Sequence, residues 1–446
     1  MEEQERKFKQ MTGPPVHSLI CRLAIPCIIS MLVTSFYNMA DTFFVGMLKS
    51  NVATAAVGIV FSMMAVIQAV GFFFGHGSGN YISRELGKKN YDEASNMAAT
   101  GFYAALAAGV LIAGLGLLFL EPLAFLLGST TSTIQETKDY LGVILLGAPW
   151  MTASLVLNNQ LRYQGSAMYA MVGIVSGAVL NIALDPLLIL TCSMGVAGAG
   201  WATIISQFVS FCILYIGCSK GSNIQIRLSR VKLKPFYFLE IIQGGLPSLA
   251  RQSLASLATI CLNHAAGGHS EAAIAAMGIV QRIMMFGASA MIGFGQGFQP
   301  VCGFNFGAGL YKRVKDGFWF CVKYSLGFLI AISALMFLFA PQLIAFFRDD
   351  PEVIACGAAA LRFQCVTFPA QSWIVMSNMM EQSIRRTIPA TFLATARQGI
   401  FFIPSVLILS NTIGLLGIQM SQAVADLCTL LCALPIHIYV LRTMED

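Results

Sequence analysis

Residues 35–46 read "SFYNMADTFFVG", and Asp41 stands there with no other charged residue between Arg22 and Lys49. A second solitary carboxylate, Asp185, stands in "NIALDPLLIL". Each has a polar neighbour four positions earlier, Tyr37 and Asn181 respectively, and that spacing puts both members of a pair on one helix face. Asp41 precedes Lys49 by eight positions and Asp185 precedes Ser193 by eight, so both lie about 12 Å below a helix end at 1.5 Å per residue. Thr203 lies a comparable distance along from Gly195. Carboxylates, an amide oxygen and hydroxyls suit a hard cation such as sodium. Two neighbouring carboxylates equally suit a shared proton, because like charges resist ionising together.

The surroundings decide what solvent these groups meet. Of 446 residues, 57% are hydrophobic and 11% charged, against about 25% charged in a soluble domain. Apolar runs of roughly 20 residues or more read as membrane helices at 17–46, 53–82, 95–120, 137–160, 168–191, 196–217, 238–264, 272–300, 316–346, 353–380, 388–410 and 416–441. The expected fold is therefore an all-α polytopic membrane protein with twelve transmembrane helices. The 41 glycines and 15 prolines are tolerated in such helices, where close packing and neighbouring groups satisfy the backbone. An ionisable residue at membrane depth is costly and marks function by default.

The net charge of +6 is topological. With the N-terminus inside, alternate loops collect 18 Lys and Arg, from Arg6 to Arg442, against 3 on the other side, Lys49, Lys138 and Arg348. This bias places both termini in the cytoplasm and leaves no single basic patch for nucleic acid. The opening "MEEQERKFKQMTGPP" is polar and reads as no cleavable signal peptide. The 12 cysteines form no CxxC pair and read as small apolar residues.

Self-comparison reveals a duplication. At an offset of 220, Gly58, Gly75, Gly77, Gly87 and Tyr91 match Gly278, Gly295, Gly297, Gly307 and Tyr311, Pro149 matches Pro369, and Asn158 matches Asn378. Two copies of six helices are parallel repeats about a pseudo-twofold axis along the membrane normal. The expected organisation is a cytoplasmic tail over 1–16, an N-lobe over 17–217, a basic cytoplasmic linker over 218–237, a C-lobe over 238–441 and a tail over 442–446. Neither aspartate has a repeat mate. "GHGSGN" lacks the GK[ST] ending of a phosphate loop, and HExxH and GxSxG are missing, so neither ATP use nor hydrolytic chemistry is expected.

The second lobe carries Glu381, Arg397, Asp426, Arg251, Arg282 and Arg362. Arg397 with Asp426 or Glu381 reads as an internal ion pair. His76, opposite Gln296, reads as a packed polar residue. The clusters "FSMMAV" and "IMMFGASAM" place Met63, Met64, Met284 and Met285 as ordinary helix packing or as an adaptable cavity wall. Pro26 in the first helix permits bending.

These residues resemble the multidrug and toxic compound extrusion (MATE) transporters across essentially the whole chain. The resemblance rests on "YNMADTFFVG", on "GxGxxxxxxxxxGxxxY" in both lobes, and on "LRYQG", "NIALDP" and "RQGIFFIP". It implies a two-lobed, twelve-helix fold and export of small amphipathic organic cations by alternating access, driven by inward sodium or protons. The family's cation site carries over to Tyr37, Asp41, Asn181, Asp185 and Thr203. The substrate cavity is expected from Asn158, Met63, Met64, Met284, Met285, Asn378 and Arg397, with Pro26 as hinge. The expected protein is a monomer in the cytoplasmic membrane with no cofactor and no metal beyond a coupling sodium ion. The alternatives are a lipid-linked sugar flippase of similar fold, which would favour arginines in a wide cavity, or a passive channel.

Overall fold

The computed structural model describes residues 2–47, 50–220 and 224–444; Lys49, among the outer charges counted above, lies outside them. The first half folds into α1 (Glu2–Thr12), α2 (Val16–Gly46), α3 (Asn51–Gly87), α4 (Tyr91–Leu118), α5 (Leu120–Leu126), α6 (Ile134–Tyr163), α7 (Ala167–Pro186, continued by a π-turn to Thr191) and α8 (Gly195–Lys220). The second half repeats the plan with α9 (Pro235–Gly267), α10 (Glu271–Gly307), α11 (Tyr311–Leu338), α12 (Ala340–Phe347), α13 (Pro351–Thr367), α14 (Gln371–Ser383), α15 (Thr387–Thr395), α16 (Ile403–Ile413) and α17 (Leu415–Thr443). A 3₁₀ turn joins α13 to α14, and a π-helical stretch, Ala396–Phe402, joins α15 to α16. Counting each joined pair once, the described residues form twelve long helical segments. Among the described residues, eleven are long and apolar enough to span a membrane. The twelfth, α9, is equally long but carries Glu240, Gln243, Arg251 and Gln252; Glu240 meets Arg84 of the other lobe, and Gln243 and Arg251 meet Arg385 and Asn378 of its own.

The duplication survives in details that no hydropathy plot carries. Ser50 caps α3 by accepting from the Ala53 N–H at 3.1 Å, and Ser270 caps α10 identically through Ala273; a serine there satisfies an otherwise orphan N–H. Left-handed turn positions recur at Lys89 and Gly309 and at Gly165 and Arg385, whichever residue occupies them. Asn158 Nδ2 donates to the Ala170 carbonyl at 3.3 Å, and Asn378 Nδ2 to the Ala390 carbonyl at 2.5 Å. Each asparagine thus ties the fourth long helix of its lobe to the fifth.

Two of the expected spans end early. The runs 95–120 and 316–346 break at Phe119 and Phe339, after which α5 and α12 begin with Pro122 and Pro341 in their first turns. At the second break the apolar composition continues, so hydropathy alone merges α11 with α12; at the first, Glu121 follows within two residues and the expected span stops beside it. Proline fits the start of a new helix in both. Conversely, α3 and α10 run on to Gly87 and Gly307, past the expected ends, because charged and polar residues there are buried against the other lobe.

That burial forms the seam. Helix α2 packs on α10, and α3 packs on both α9 and α10. A Cβ on Gly77 would overlap the backbone of Ile241, and one on Gly297 would overlap Ala24. Gly87 abuts Phe304, and Gly307 abuts Arg84, again backbone to backbone. Four of the repeated glycines, Gly77, Gly87, Gly297 and Gly307, are therefore points of close backbone contact between the lobes, all toward the end that carries the basic loops. Arg84 crosses this seam to Glu240 at 3.2 Å and to the Ser383 carbonyl at 3.0 Å. Toward the opposite end α3 and α10 each expose a face, with Phe61, Val66, Met285 and Phe286 uncovered. The lobes close at the basic end and part at the other.

Candidate functional site

Four helices of the N-lobe converge on the two aspartates. Asp41 sits near the end of α2, Asp185 just before the π-turn that ends α7, and Thr203 two turns into α8. Asp185 is fully buried, and Asn181 and Thr203 are buried beside it. With the Asn181 amide oriented by its surroundings, its nitrogen donates to Asp185 Oδ2 at 3.0 Å and its oxygen accepts from the Thr203 N–H at 3.3 Å. The i, i+4 pair of α7 is thereby locked to α8. Tyr37 is buried one turn below Asp41, with its hydroxyl toward Thr203 and within electrostatic range of both carboxylates. Asp41 and Asp185 are themselves in range of one another.

In each aspartate, Oδ1 is enclosed and accepts no hydrogen bond from the protein. Buried polar atoms are normally paired, and a buried carboxylate oxygen is among the costliest to leave alone. Two such oxygens on neighbouring helices are acceptors for a cation or a proton. A π-turn often marks a functional position in a helix, and here it follows Asp185 directly.

Tyr140 on α6 completes this cluster. It is buried, its hydroxyl reaches toward Thr203, and it lies in electrostatic range of Asp41, Tyr37 and Asp185; the same oxygen is 4.0 Å from the Met64 sulfur. No sequence signal marks it, because "ETKDYLG" surrounds it with charges typical of an aqueous helix end. Only the third dimension turns that tyrosine inward.

The other expected residues scatter. Met63 and Met64 lie in the N-lobe core and Met284 in the C-lobe core, whereas Met285 is 67% exposed. Asn158 and Asn378 are occupied by the helix ties described above. Arg397, in the π-helical stretch between α15 and α16, pairs with buried Asp426 at 2.8 Å, not with Glu381. Gln422 and Gln371 donate to the same carboxylate at 2.9 and 3.4 Å. Glu381 instead meets His437 at 3.0 Å, both fully buried beneath Phe318 and Trp373. Pro26 interrupts the α2 ladder, and Ser30, Thr34 and Ser35 each back-bond to a carbonyl four residues earlier at 2.8–3.1 Å, a pattern that bends helices.

A two-lobed helical bundle built by duplication, closed at one end and carrying paired buried carboxylates in one lobe, defines a multi-pass membrane transporter. The MatE family model matches residues 26–187 and 247–408, one segment in each lobe, and the chain belongs to the MatE family. It is 27% identical over 431 residues to the multidrug export protein MepA of Staphylococcus aureus (strain NCTC 8325 / PS 47), covering 96% of this chain and 94% of that one. MepA of Staphylococcus saprophyticus is 28% identical, covering 94% and 92%. Among solved structures, the outward-facing conformation of a multidrug resistance MATE family transporter of the MOP superfamily aligns with a TM-score of 0.92 at 26% identity over 98% of both chains.

Proposed function

We propose that this protein is a secondary active multidrug efflux transporter of the cytoplasmic membrane, exporting small amphipathic organic cations in exchange for sodium ions or protons. The observation that carries the reading is the pair of enclosed, unaccepting Oδ1 atoms of Asp41 and Asp185 inside one lobe of a MatE-family fold. The names of the staphylococcal relatives support multidrug export. The excess of Lys and Arg in alternate loops supports cytoplasmic termini, which makes the closed basic end cytoplasmic and the described state outward-facing.

In this state the coupling ion enters from outside and binds Asp41 and Asp185, with Asn181, Thr203 and Tyr37 supplying the remaining oxygens. Neutralising two like charges lets α2 draw toward α7 and α8, and its back-bonded segment above Pro26 absorbs the bend. Movement of α2 alters the wall that faces the cleft and weakens the hold on the cargo. Coupling requires only that ion and cargo favour different states by a few kcal/mol. No other cofactor takes part, and a monomer contains every element of the cycle.

The decisive measurement is dye export by purified protein in proteoliposomes under separately imposed sodium and pH gradients. Uphill export that collapses with one gradient identifies the ion and excludes a channel. Asp41→Asn and Asp185→Asn are each expected to abolish uphill export in protein of normal yield; export at the parental rate by both variants would refute the assignment.

A further inference from the structure

A cavity of about 540 Å³ opens at the basic end between α2 of the N-lobe and α11 of the C-lobe, lined by Val16, His17, Arg313, Asp316, Phe320 and Tyr324. Gly317 brings its walls together, since a Cβ there would lie 3.4 Å from Val16 Cγ2. Arg313 is half-buried, with Nε donating to Asn305 Oδ1 at 2.9 Å and Nη2 to the Pro14 carbonyl at 2.7 Å; its Nη1 is spare. His17 and Asp316 are exposed, and among the described residues neither makes a hydrogen bond or an ion pair. The His17 ring lies 6.0 Å from Phe320, which lies 4.4 Å from Tyr324. Arg313, Asp316, Phe320, Tyr324 and Phe328 recur every three or four positions and so share one face of α11. Tyr324 and Phe328 are uncovered, as is Ile25 on α2, at 65%, 41% and 58% exposure. An apolar track thus leads from a charged mouth toward the middle of the spans.

The duplication supplies a control. At the offset of 220, His17 matches Tyr237, while Arg313, Lys315 and Phe320 match Glu93, Ser95 and Thr100. In that copy the chain itself covers the equivalent face of α4. Gln225 N–H donates to Ser95 Oγ at 3.2 Å, Lys232 N–H to Thr100 Oγ1 at 3.0 Å, and the Tyr237 hydroxyl to Glu93 at 2.7 Å. The two hydroxyls that hold the linker there are Lys315 and Phe320 here, and neither side chain can accept a backbone hydrogen bond. Residues ahead of α2 form α1 instead, which is held to α10. One copy of the groove is therefore filled by polypeptide, and the other is open, charged and aromatic.

We propose that this cavity binds the headgroup of an amine-bearing phospholipid of the phosphatidylethanolamine type, from the leaflet at the basic end. The spare Nη1 of Arg313 and the His17 ring take the phosphate, for which a guanidinium is well suited. The ammonium, with three N–H donors, takes the unpartnered Asp316 carboxylate, and an acyl chain follows Phe320, Tyr324 and Phe328. Aromatic side chains favour that depth, where lipid headgroups give way to hydrocarbon. Both charges of the headgroup are used. Phosphatidylcholine offers the phosphate but no N–H to Asp316, and phosphatidylglycerol offers no cation at all. The occupant touches α2 of one lobe and α11 of the other at the end where the lobes are closed. The assignment stands apart from the efflux reading, since it needs only the cavity and a bilayer.

The test titrates delipidated full-length protein in neutral maltoside micelles with phosphatidylethanolamine, phosphatidylcholine and phosphatidylglycerol of identical chains, reading bound lipid by native mass spectrometry. Phosphatidylethanolamine is expected to bind about tenfold tighter than either of the others, the worth of one charged hydrogen bond. Asp316→Asn is expected to bring its ratio to phosphatidylcholine toward one while phosphatidylcholine binds as before, and Arg313→Gln to weaken all three. Equal binding of the amine and choline lipids by the unaltered protein, a preference for phosphatidylglycerol, or an amine preference that survives Asp316→Asn overturns the proposal. Arg313 also holds Asn305 and Pro14, so if its variant fails to fold, Asp316→Asn decides, because that exposed side chain holds nothing else in place. Displacement of the bound lipid by an equal concentration of glycerophosphoethanolamine would assign the cavity to a soluble ligand and equally overturn it.

Discussion

At the scale of residues, the N-lobe site is a small set of oxygens in which each hydroxyl has a separable task. Tyr140 faces Thr203 and stands near both aspartates, so Tyr140→Phe keeps the ring and removes one oxygen. The expected result is a coupling-ion concentration for half-maximal export raised about three- to tenfold, the worth of one hydrogen bond of about 1 kcal/mol, with the maximal rate retained; flux measured against ion concentration checks it. The C-lobe ion pair predicts a different outcome. Arg397→Gln leaves Asp426, itself 1% exposed, with only the two glutamine amides, and breaking such a pair costs about 3 kcal/mol. Adding Asp426→Asn should recover most of that loss, as thermal unfolding of the single and double variants in detergent will show. Asp41 and Asp185 were legible in sequence because a lone carboxylate in an apolar run is conspicuous and its distance to a loop measures depth. Tyr140 and the partner of Arg397 were not, since side-chain direction at a helix end and the choice between two carboxylates depend on packing between helices.

At the scale of elements, apolar runs located all twelve long segments, but their ends and breaks followed other rules. Helices α3 and α10 continue past the last apolar residues because the seam, not lipid, buries them. The breaks before α5 and α12 sit where prolines begin new helices, the second inside unbroken apolar composition. The glycines found by self-comparison had no assigned task in sequence, and the structure shows that four of them are backbone contacts between lobes. Gly77→Val and Gly297→Val should therefore disfavour closure at the basic end while leaving each lobe folded, at a cost typical of overpacking, about 1–3 kcal/mol. Cys302 is buried at this seam near Arg84 and reports the change. In a variant that keeps Cys302 as its one cysteine, either substitution should speed N-ethylmaleimide labelling about fivefold or more and slow dye export; unchanged labelling would show that the closure is not sensitive to these contacts.

At the scale of the whole molecule, one element belongs to neither copy of the duplication. Among the described residues, helix α1 has no counterpart at the start of the second lobe, where residues 224–234 hold a short turn and extended chain instead. It lies across the basic end and touches both lobes. On the C-lobe side, Asn305 Nδ2 donates to the Met11 carbonyl at 3.2 Å and Phe8 packs on Phe304 at 5.7 Å, while just beyond the helix Arg313 Nη2 donates to the Pro14 carbonyl at 2.7 Å. On the N-lobe side, Lys89 sits over the Phe8 ring at 4.4 Å, the Tyr91 hydroxyl donates to the Gln4 carbonyl at 3.5 Å, and Met11 is buried against Gly165. Opening the basic end must break one of these sets, because a rigid helix cannot follow two lobes that separate. Burial of Met11 and Phe8 with two hydrogen bonds amounts to about 2–4 kcal/mol, enough to move the balance between the two states more than tenfold. Deleting residues 2–12 should accordingly accelerate hydrogen exchange at the basic ends of α3 and α10 without affecting the middle of α6, and should let molecules open at the basic end accumulate. Export then slows because the return to the state closed at the basic end loses part of its driving force. If exchange at Gly87 and Gly307 is the same with and without the segment, α1 is a passenger and the lobes close on their own contacts.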